Sequence, residues 1–162
     1  MIKFHTLKRE QWLPRPLEEV FDFFSDARNL GKITPNWLGF RILTPSPIRI
    51  AAGTRIRYRL RWHGVPIYWT TEIRRWDPPH RFVDVQSRGP YRLWHHTHRF
   101  ESHDGGTRMI DVVRYTLPLG IVGRLLHTFK VRRDIAQIFD YRFKRINDLL
   151  ASNALAGTNR HV

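Results

Sequence analysis

The chain has no cysteine among its 162 residues. Disulfide bonds, thiolate metal sites and cysteine nucleophiles are therefore excluded, while the redox compartment stays open. Long apolar runs are missing as well: no segment could span a bilayer, and the N-terminal residues lack the apolar stretch of a signal peptide. We therefore expect a soluble, cytoplasmic protein.

Acidic residues are scarce, with 14 Asp and Glu against 28 Lys and Arg, a formal net charge of +14. Such an excess raises nucleic acid, anionic membranes and acidic ligands as partners. The arginines are nevertheless spread along the chain, and the densest group follows strand periodicity at Arg55, Arg57, Arg59 and Arg61. We expect a solvated basic sheet face that contacts anionic membranes weakly and binds no specific nucleic acid. Binding of anionic surfaces or nucleic acid through this face is kept as an alternative function.

The clearest strand of the chain contains those arginines. They alternate with apolar residues, as in an antiparallel sheet that has one solvated face. The apolar partners are Ile56, Tyr58, Leu60 and Trp62. In the next strand Glu72 is expected opposite one of the arginines, since opposite charges pair well across strands.

The order of elements predicts the fold class. A strand, two short helices, six further strands and a long helix follow one another, and hairpin turns such as Asp104–Gly106 imply antiparallel pairing. The C-terminal helix carries an apolar stripe that must be buried against the sheet. We predict an α+β fold with about seven strands curved around that helix, as a single domain over residues 1–152, and a disordered tail over 153–162.

Local motifs resemble a known family. The segments that carry the resemblance are Arg81–Gln86, Gly89–Tyr91, Trp94–Phe100, Gly106–Asp111 and Tyr115–Gly120. They resemble a bacterial ligand-binding subgroup of the START-like, or SRPBCC, superfamily, which is also described as polyketide cyclase/dehydrase-like. The resemblance implies a helix-grip fold with a cavity between the sheet and the C-terminal helix. It also implies a small, largely apolar ligand of lipid-, polyketide- or aromatic-like character.

Strand alternation indicates which residues would line such a cavity. In the strand near residues 80–87, either of two faces could point into the cavity: Phe82 with Asp84 and Gln86, or Val83 with Val85. The aromatic residue Phe82 favours the first face. Apolar walls with a few placed polar groups are typical of small-molecule pockets. The expected ligand-binding residues are Tyr58, Trp69, Thr71, Phe82, Asp84, Gln86, Trp94, His96, His98, Asp111, Val113, Tyr115 and Phe139.

Three of these residues are candidates for catalysis: His96, His98 and Asp111. Histidine titrates near neutral pH, and a neighbouring carboxylate fixes its tautomer, so the group would suit a cyclase/dehydratase or an isomerase. A satisfied buried polar network, or recognition of a ligand, explains the same residues equally. Sequence motifs of phosphate loops, serine hydrolases and zinc proteases are missing. Whether the chain is an enzyme stays open.

His96 and His98 also have the i, i+2 spacing that brings two imidazoles to one strand face. A metal could bind there together with Asp111, but the sequence places no third ligand at a fixed spacing from the two histidines. We therefore predict no metal and no cofactor. The chain is expected to be a monomer or a homodimer.

Two apolar segments are candidates for a cavity entrance. Trp37, Leu38 and Phe40 follow the two short helices, where they could form a gate. The stretch Leu117–Leu126 is either a loop packed on the last helix or a flexible portal that touches a membrane.

Overall fold

The computed structural model describes residues 4–118 and 130–157. A short 3-10 turn at Asn36–Leu38 precedes the second strand. In chain order the strands and α-helices are β1 (His5–Leu13), α1 (Leu17–Ser25), α2 (Asn29–Lys32), β2 (Arg41–Ile42), β3 (Arg55–Trp62), β4 (Val65–Asp77), β5 (Arg81–Arg88), β6 (Leu93–His103), β7 (Gly106–Thr116) and α3 (Arg132–Gly157).

The seven strands form one sheet in the order β1-β7-β6-β5-β4-β3-β2, and every pair is antiparallel. The predicted α+β class is confirmed, with two short helices after the first strand and a long C-terminal helix. The second strand is only two residues long, because the chain leaves the sheet before the prolines at positions 45 and 47.

The alternation in β3 produces two chemically different faces. Ile56 is 5% exposed, whereas its neighbours Arg55 and Arg57 are exposed. Arg55 pairs with Glu72 in the register of β3 and β4, and its Nε lies 3.0 Å from the Glu72 Oε2. The predicted cross-strand ion pair is therefore confirmed, on the solvated side of the sheet.

Among the described residues, the core consists of two apolar clusters between the sheet and the helices. The first joins α1, the sheet and the end of α3, with Val20, Phe100 and Ile146 fully buried. The second joins β7 to the beginning of α3, through Val113, Ile135 and other residues. The apolar stripe of the C-terminal helix therefore packs on the sheet as its periodicity predicts.

Hydrogen bonds fasten α3 to the sheet near both ends. Trp62 Nε1 donates to Asp134 Oδ2 at 2.7 Å near the start of the helix. Toward its other end, Gln11 Nε2 donates to Asn147 Oδ1 at 3.2 Å, and Arg15 Nε donates to the Leu150 carbonyl at 2.9 Å. The position of α3 over the sheet is thereby fixed.

The helix continues past residue 152, where the domain was predicted to end, and runs to Gly157. The first residues of the expected tail are therefore helical, and residues 158–162 lie outside the described residues. Most of the segment considered as a portal, 119–129, also lies outside them. None of the helices in the described part of the chain is both long and apolar enough to cross a membrane.

Candidate functional site

A pocket of about 360 Å³ lies between the sheet, the two short helices and α3. Its walls are mainly aliphatic and aromatic side chains from β3, β4 and the C-terminal helix. Nine of the thirteen residues predicted to bind a ligand line this pocket, namely Tyr58, Trp69, Thr71, Phe82, Asp84, Trp94, His96, His98 and Phe139.

Aromatic rings form one wall of the pocket. Tyr58 and Trp69 stack with their centroids 6.0 Å apart, and Trp94 meets Trp69 edge-on at 5.2 Å. The Tyr58 hydroxyl and the Trp69 Nε1 each lie 3.1 Å from the Thr71 hydroxyl. Burial raises the pKa of Tyr58. Because the polar atoms of this wall bond to one another, the surface that faces the pocket is apolar.

Polar and ionisable groups lie at one end of the pocket, where the strand register brings two imidazoles and two carboxylates together. Asp84 on β5 lies opposite His96 on β6, and His98 lies opposite Asp111 on β7. The His98 Nε2 is 2.8 Å from the Asp84 Oδ2, and the His96 Nε2 is 3.1 Å from the Asp111 Oδ1. We call these four residues the His–Asp cluster.

The remaining ring nitrogens of the His–Asp cluster also face carboxylates. His96 Nδ1 lies 3.6 Å from Asp84 Oδ2. His98 Nδ1 lies 2.8 Å from Asp111 Oδ1, but outside a hydrogen-bonding direction, so this contact is electrostatic. Each imidazole is therefore flanked by both carboxylates, and each carboxylate by both imidazoles.

Charge in the His–Asp cluster is divided unequally. Burial opposes ionisation of His98, but Asp111 and Asp84 outweigh it and raise its pKa. Burial and the neighbouring His98 together lower the pKa of His96. Burial alone would raise the pKa of both aspartates, yet the imidazoles hold the pKa of Asp84 low and that of Asp111 well below its usual range. Within the His–Asp cluster a positive charge is therefore favoured on His98 over His96.

Aromatic packing fixes the orientation of both imidazoles. Phe82 stacks on His98 with 4.0 Å between the ring centroids, and Phe139 meets the His96 ring at 5.4 Å. His96 is 4% exposed and His98 is 2% exposed. The polar atoms of the His–Asp cluster are thus held in place by an apolar surround.

Four of the predicted ligand-binding residues lie outside the pocket lining. The Gln86 amide instead bonds both backbone groups of Tyr91, at 2.7 and 3.1 Å, and so closes the turn before β6. Asp111 lies behind the two imidazoles at 5% exposure. Val113 and Tyr115 pack into the second core cluster, because the beginning of α3 covers their part of the inner sheet face.

Arg142 is a pocket residue that sequence reasoning missed. It lies on α3, with its guanidinium 5.7 Å from the Phe24 ring and 5.9 Å from the Phe139 ring. Its Nε is buried and makes no hydrogen bond with any residue that the structure describes. The helical spacing could have identified it, because position 142 is three residues after Phe139 and four before Ile146 and so lies on the apolar stripe of the helix.

The residues considered as a gate have separate locations. Leu38 and Phe40 line the pocket, and Leu38 is 5% exposed. Trp37 is 61% exposed and lies against Tyr141 of α3, with ring centroids 5.4 Å apart. Leu117 and Pro118, the described beginning of the segment considered as a portal, also line the pocket.

A family model described as polyketide cyclase / dehydrase and lipid transport matches residues 13–138. The chain belongs to this family. The resemblance noted in the sequence motifs is therefore confirmed, and the match covers every strand from β2 to β7 as well as the start of α3. Among curated proteins, none matches the chain.

Solved structures share the fold of this family member. The protein TTHA0849 of Thermus thermophilus is similar with a TM-score of 0.74 and 21% identity, over 92% of this chain and 99% of that one. A protein from Rhizobium leguminosarum is similar with a TM-score of 0.71 and 15% identity, over 94% of this chain and 97% of that one. The protein Ms6760 of Mycobacterium smegmatis is similar with a TM-score of 0.68 and 19% identity, over 91% of this chain and 92% of that one. At these identities the likeness shows the fold alone.

Proposed function

We propose that this chain binds a small, largely apolar molecule in the pocket between its sheet and its C-terminal helix. The observation that carries the proposal is a pocket of about 360 Å³ with mainly apolar walls, in whose lining Asp84, His96 and His98 form one group of polar side chains. Membership of a family described by polyketide chemistry and lipid transport supports it. Such a composition, apolar walls with a few placed polar groups, is usual for small-molecule sites.

The volume restricts the size of the ligand. A pocket of about 360 Å³ lies near the lower end of the usual range for small-molecule sites. A compact ring system or a short acyl chain fits that space, whereas a two-chain lipid does not. Burying roughly 200 Å² of apolar ligand surface would contribute about 5 kcal/mol to binding, at ~25 cal/mol per Å².

The polar end of the pocket supports a ligand with an oxygen at one end. The buried Nε of Arg142 has no hydrogen-bond partner among the described residues, and a carbonyl, hydroxyl or carboxylate oxygen would satisfy it. His96 and His98 face the pocket at the same end. The expected occupant is therefore aromatic or aliphatic over most of its length, with one oxygen-bearing end near the His–Asp cluster.

Binding is tested by native mass spectrometry of the purified protein and by fluorescence titration with an apolar naphthalene-sulfonate dye. Ile138 lines the pocket from α3, so Ile138→Trp partly fills it and should weaken dye binding at least tenfold. Gln137 is exposed beside it, which makes Gln137→Trp the matched control with unchanged binding. Equal binding by wild type and Ile138→Trp, with both proteins folded by circular dichroism, would contradict the proposal.

The enzymatic alternative, a cyclase/dehydratase or an isomerase, places chemistry in the same pocket. It is distinguished by the fate of the bound molecule. A binding protein releases the molecule with its mass and absorption spectrum unchanged, whereas an enzyme converts it. Comparing the released molecule from wild type and from His96→Gln separates the two functions, because binding alone leaves the same compound in both samples.

A further inference from the structure

Three metal-binding side chains converge at the polar end of the pocket. Asp84, His96 and His98 each offer one ligand atom, and these atoms lie within 4.8 Å of one another. The distances identify the atoms as Asp84 Oδ2, His96 Nδ1 and His98 Nε2, with 2.8 Å from the His98 nitrogen to the carboxylate oxygen and 3.6 Å from the His96 nitrogen. All three side chains line the pocket.

Those separations suit a tetrahedral ion. With metal–ligand bonds of about 2.1 Å, neighbouring ligand atoms of a tetrahedral site lie roughly 3.4 Å apart. The two observed separations, 2.8 and 3.6 Å, fall on either side of that value. The two histidine nitrogens lie within 4.8 Å of each other, so an ion placed between the three atoms would take them as three corners of its coordination shell.

Asp111 supplies the support that metal-binding histidines usually have. Such a histidine presents its second nitrogen to a carboxylate or carbonyl, which fixes the tautomer and the ring orientation. Here the second nitrogen of His96 is hydrogen-bonded to the Asp111 Oδ1 at 3.1 Å, and the second nitrogen of His98 lies 2.8 Å from the same oxygen in an electrostatic contact. Asp111 lies behind the rings and outside the pocket, so it orients both ligands without occupying the metal position.

We propose that Asp84, His96 and His98 bind a divalent transition-metal ion such as Zn²⁺ at the polar end of the pocket, with Asp111 orienting both imidazoles. Two imidazoles and one carboxylate match the preferences of Zn²⁺, Co²⁺ and Fe²⁺. The fourth position opens into the pocket, where an oxygen of a bound molecule would coordinate. The two carboxylates of the His–Asp cluster offset the charge of the ion.

This site differs from the metal site considered in the sequence analysis, in which Asp111 was the carboxylate ligand. The register that sets Asp84 opposite His96 supplies the third ligand, and Asp111 becomes a positioning residue. Metal binding is measured with the pocket free of added organic ligand, so the inference stands independently of the proposed function.

The test uses the full chain after dialysis against a chelator. Titration with Co²⁺ should give the visible bands of a tetrahedral site and saturate at one equivalent, and Zn²⁺ should bleach them. Asp84→Asn should weaken Co²⁺ binding at least a hundredfold, and Asp111→Asn tenfold to a hundredfold with the same band shape. His103, an exposed histidine at the end of β6, provides the control variant His103→Ala, which should bind as wild type does.

A second measurement needs no variant. X-ray absorption at the zinc edge of the wild-type protein, loaded with one equivalent, should show two imidazole donors and oxygen donors at about 2.0–2.1 Å. Co²⁺ binding that is absent, exceeds one equivalent without saturating, or is lost in His103→Ala would overturn the proposal. So would a zinc spectrum without imidazole scattering, since the His–Asp cluster would then be a hydrogen-bonded network only.

Discussion

At the scale of single residues, Phe100 shows how the core supports the site. It is fully buried, and its ring lies 5.5 Å from Phe21, 5.3 Å from Phe24 and 6.0 Å from Phe82. Phe82 in turn stacks on His98. The packing around Phe100 is therefore continuous with the packing that orients the His–Asp cluster.

Replacing Phe100 by alanine should lower the free energy of unfolding by about 3–5 kcal/mol, because the substitution removes a fully buried ring and leaves a cavity. Urea denaturation followed by circular dichroism measures this loss. Tyr68 on β4 is 65% exposed, and Tyr68→Ala should change the same quantity by no more than about 0.5 kcal/mol. Similar losses for the two variants would contradict this account of the core.

The predictability of the site also differs from residue to residue. Period-two alternation correctly assigned Tyr58 and Trp69 to the inner face, because a strand residue can point to only two sides. The same rule could not find that Val113 and Tyr115 are covered by α3, since coverage depends on where the helix lies. Arg142 was missed because a charged side chain is usually exposed, even where its position lies on the apolar stripe of a helix.

At the scale of elements, the pairing of β1 with β7 requires a residue without a side chain at Gly106. A Cβ atom there would overlap the backbone carbonyl of Leu13 and come within 2.8 Å of the Trp12 ring. Backbone cannot move aside as a flexible side chain can. The close approach of the two strands therefore depends on glycine at this position.

Gly106→Ala should lower the free energy of unfolding by about 1–3 kcal/mol through this overlap. Gly31 of α2 is the matched control, because a Cβ there would meet only the Phe40 ring, at an ordinary 3.8 Å. Gly31→Ala should be neutral or stabilise by up to about 1 kcal/mol, since alanine is the better helix former. Thermal unfolding of both variants measures these changes. An unchanged free energy of unfolding in Gly106→Ala would contradict the prediction, because β1 could then shift without destabilising the fold.

Element types were largely predictable, and register was not. The arginine alternation predicted β3 because a half-solvated strand must alternate. The opposition of Asp84 and His96, which creates the candidate metal site, depends on the register of β5 and β6 and on the turn held by Gln86. Those contacts join residues that local sequence patterns do not connect.

At the scale of the whole molecule, the chain has a net charge of +14, and three of the four arginines of β3 are exposed. Acidic residues nearby are shared between arginines: Glu72, for example, pairs with Arg55 and with Arg74. Arg57 and Arg61 are exposed on the same sheet face. A surplus of this kind attracts anionic surfaces over distances set by the Debye length.

The chain should therefore sediment with vesicles containing phosphatidylserine at low salt and detach as sodium chloride rises, since the Debye length falls from about 10 Å at 0.1 M to about 3 Å at 1 M. Phosphatidylcholine vesicles are the control and should bind little. The double variant Arg57→Glu and Arg61→Glu should weaken the association if the β3 face carries it. Binding that is insensitive to salt would exclude an electrostatic surface.

The tryptophans of the pocket give the molecule an optical property of its own. Of the six tryptophans, Trp62, Trp69 and Trp94 line the pocket, whereas Trp12 and Trp37 are 47% and 61% exposed. Iodide in solution should quench the emission of the exposed pair more strongly than the emission of the pocket rings, of which Trp69 is buried. Arrival of a pocket occupant could then be followed in real time, without any label, as a change in the iodide-resistant fraction of the light.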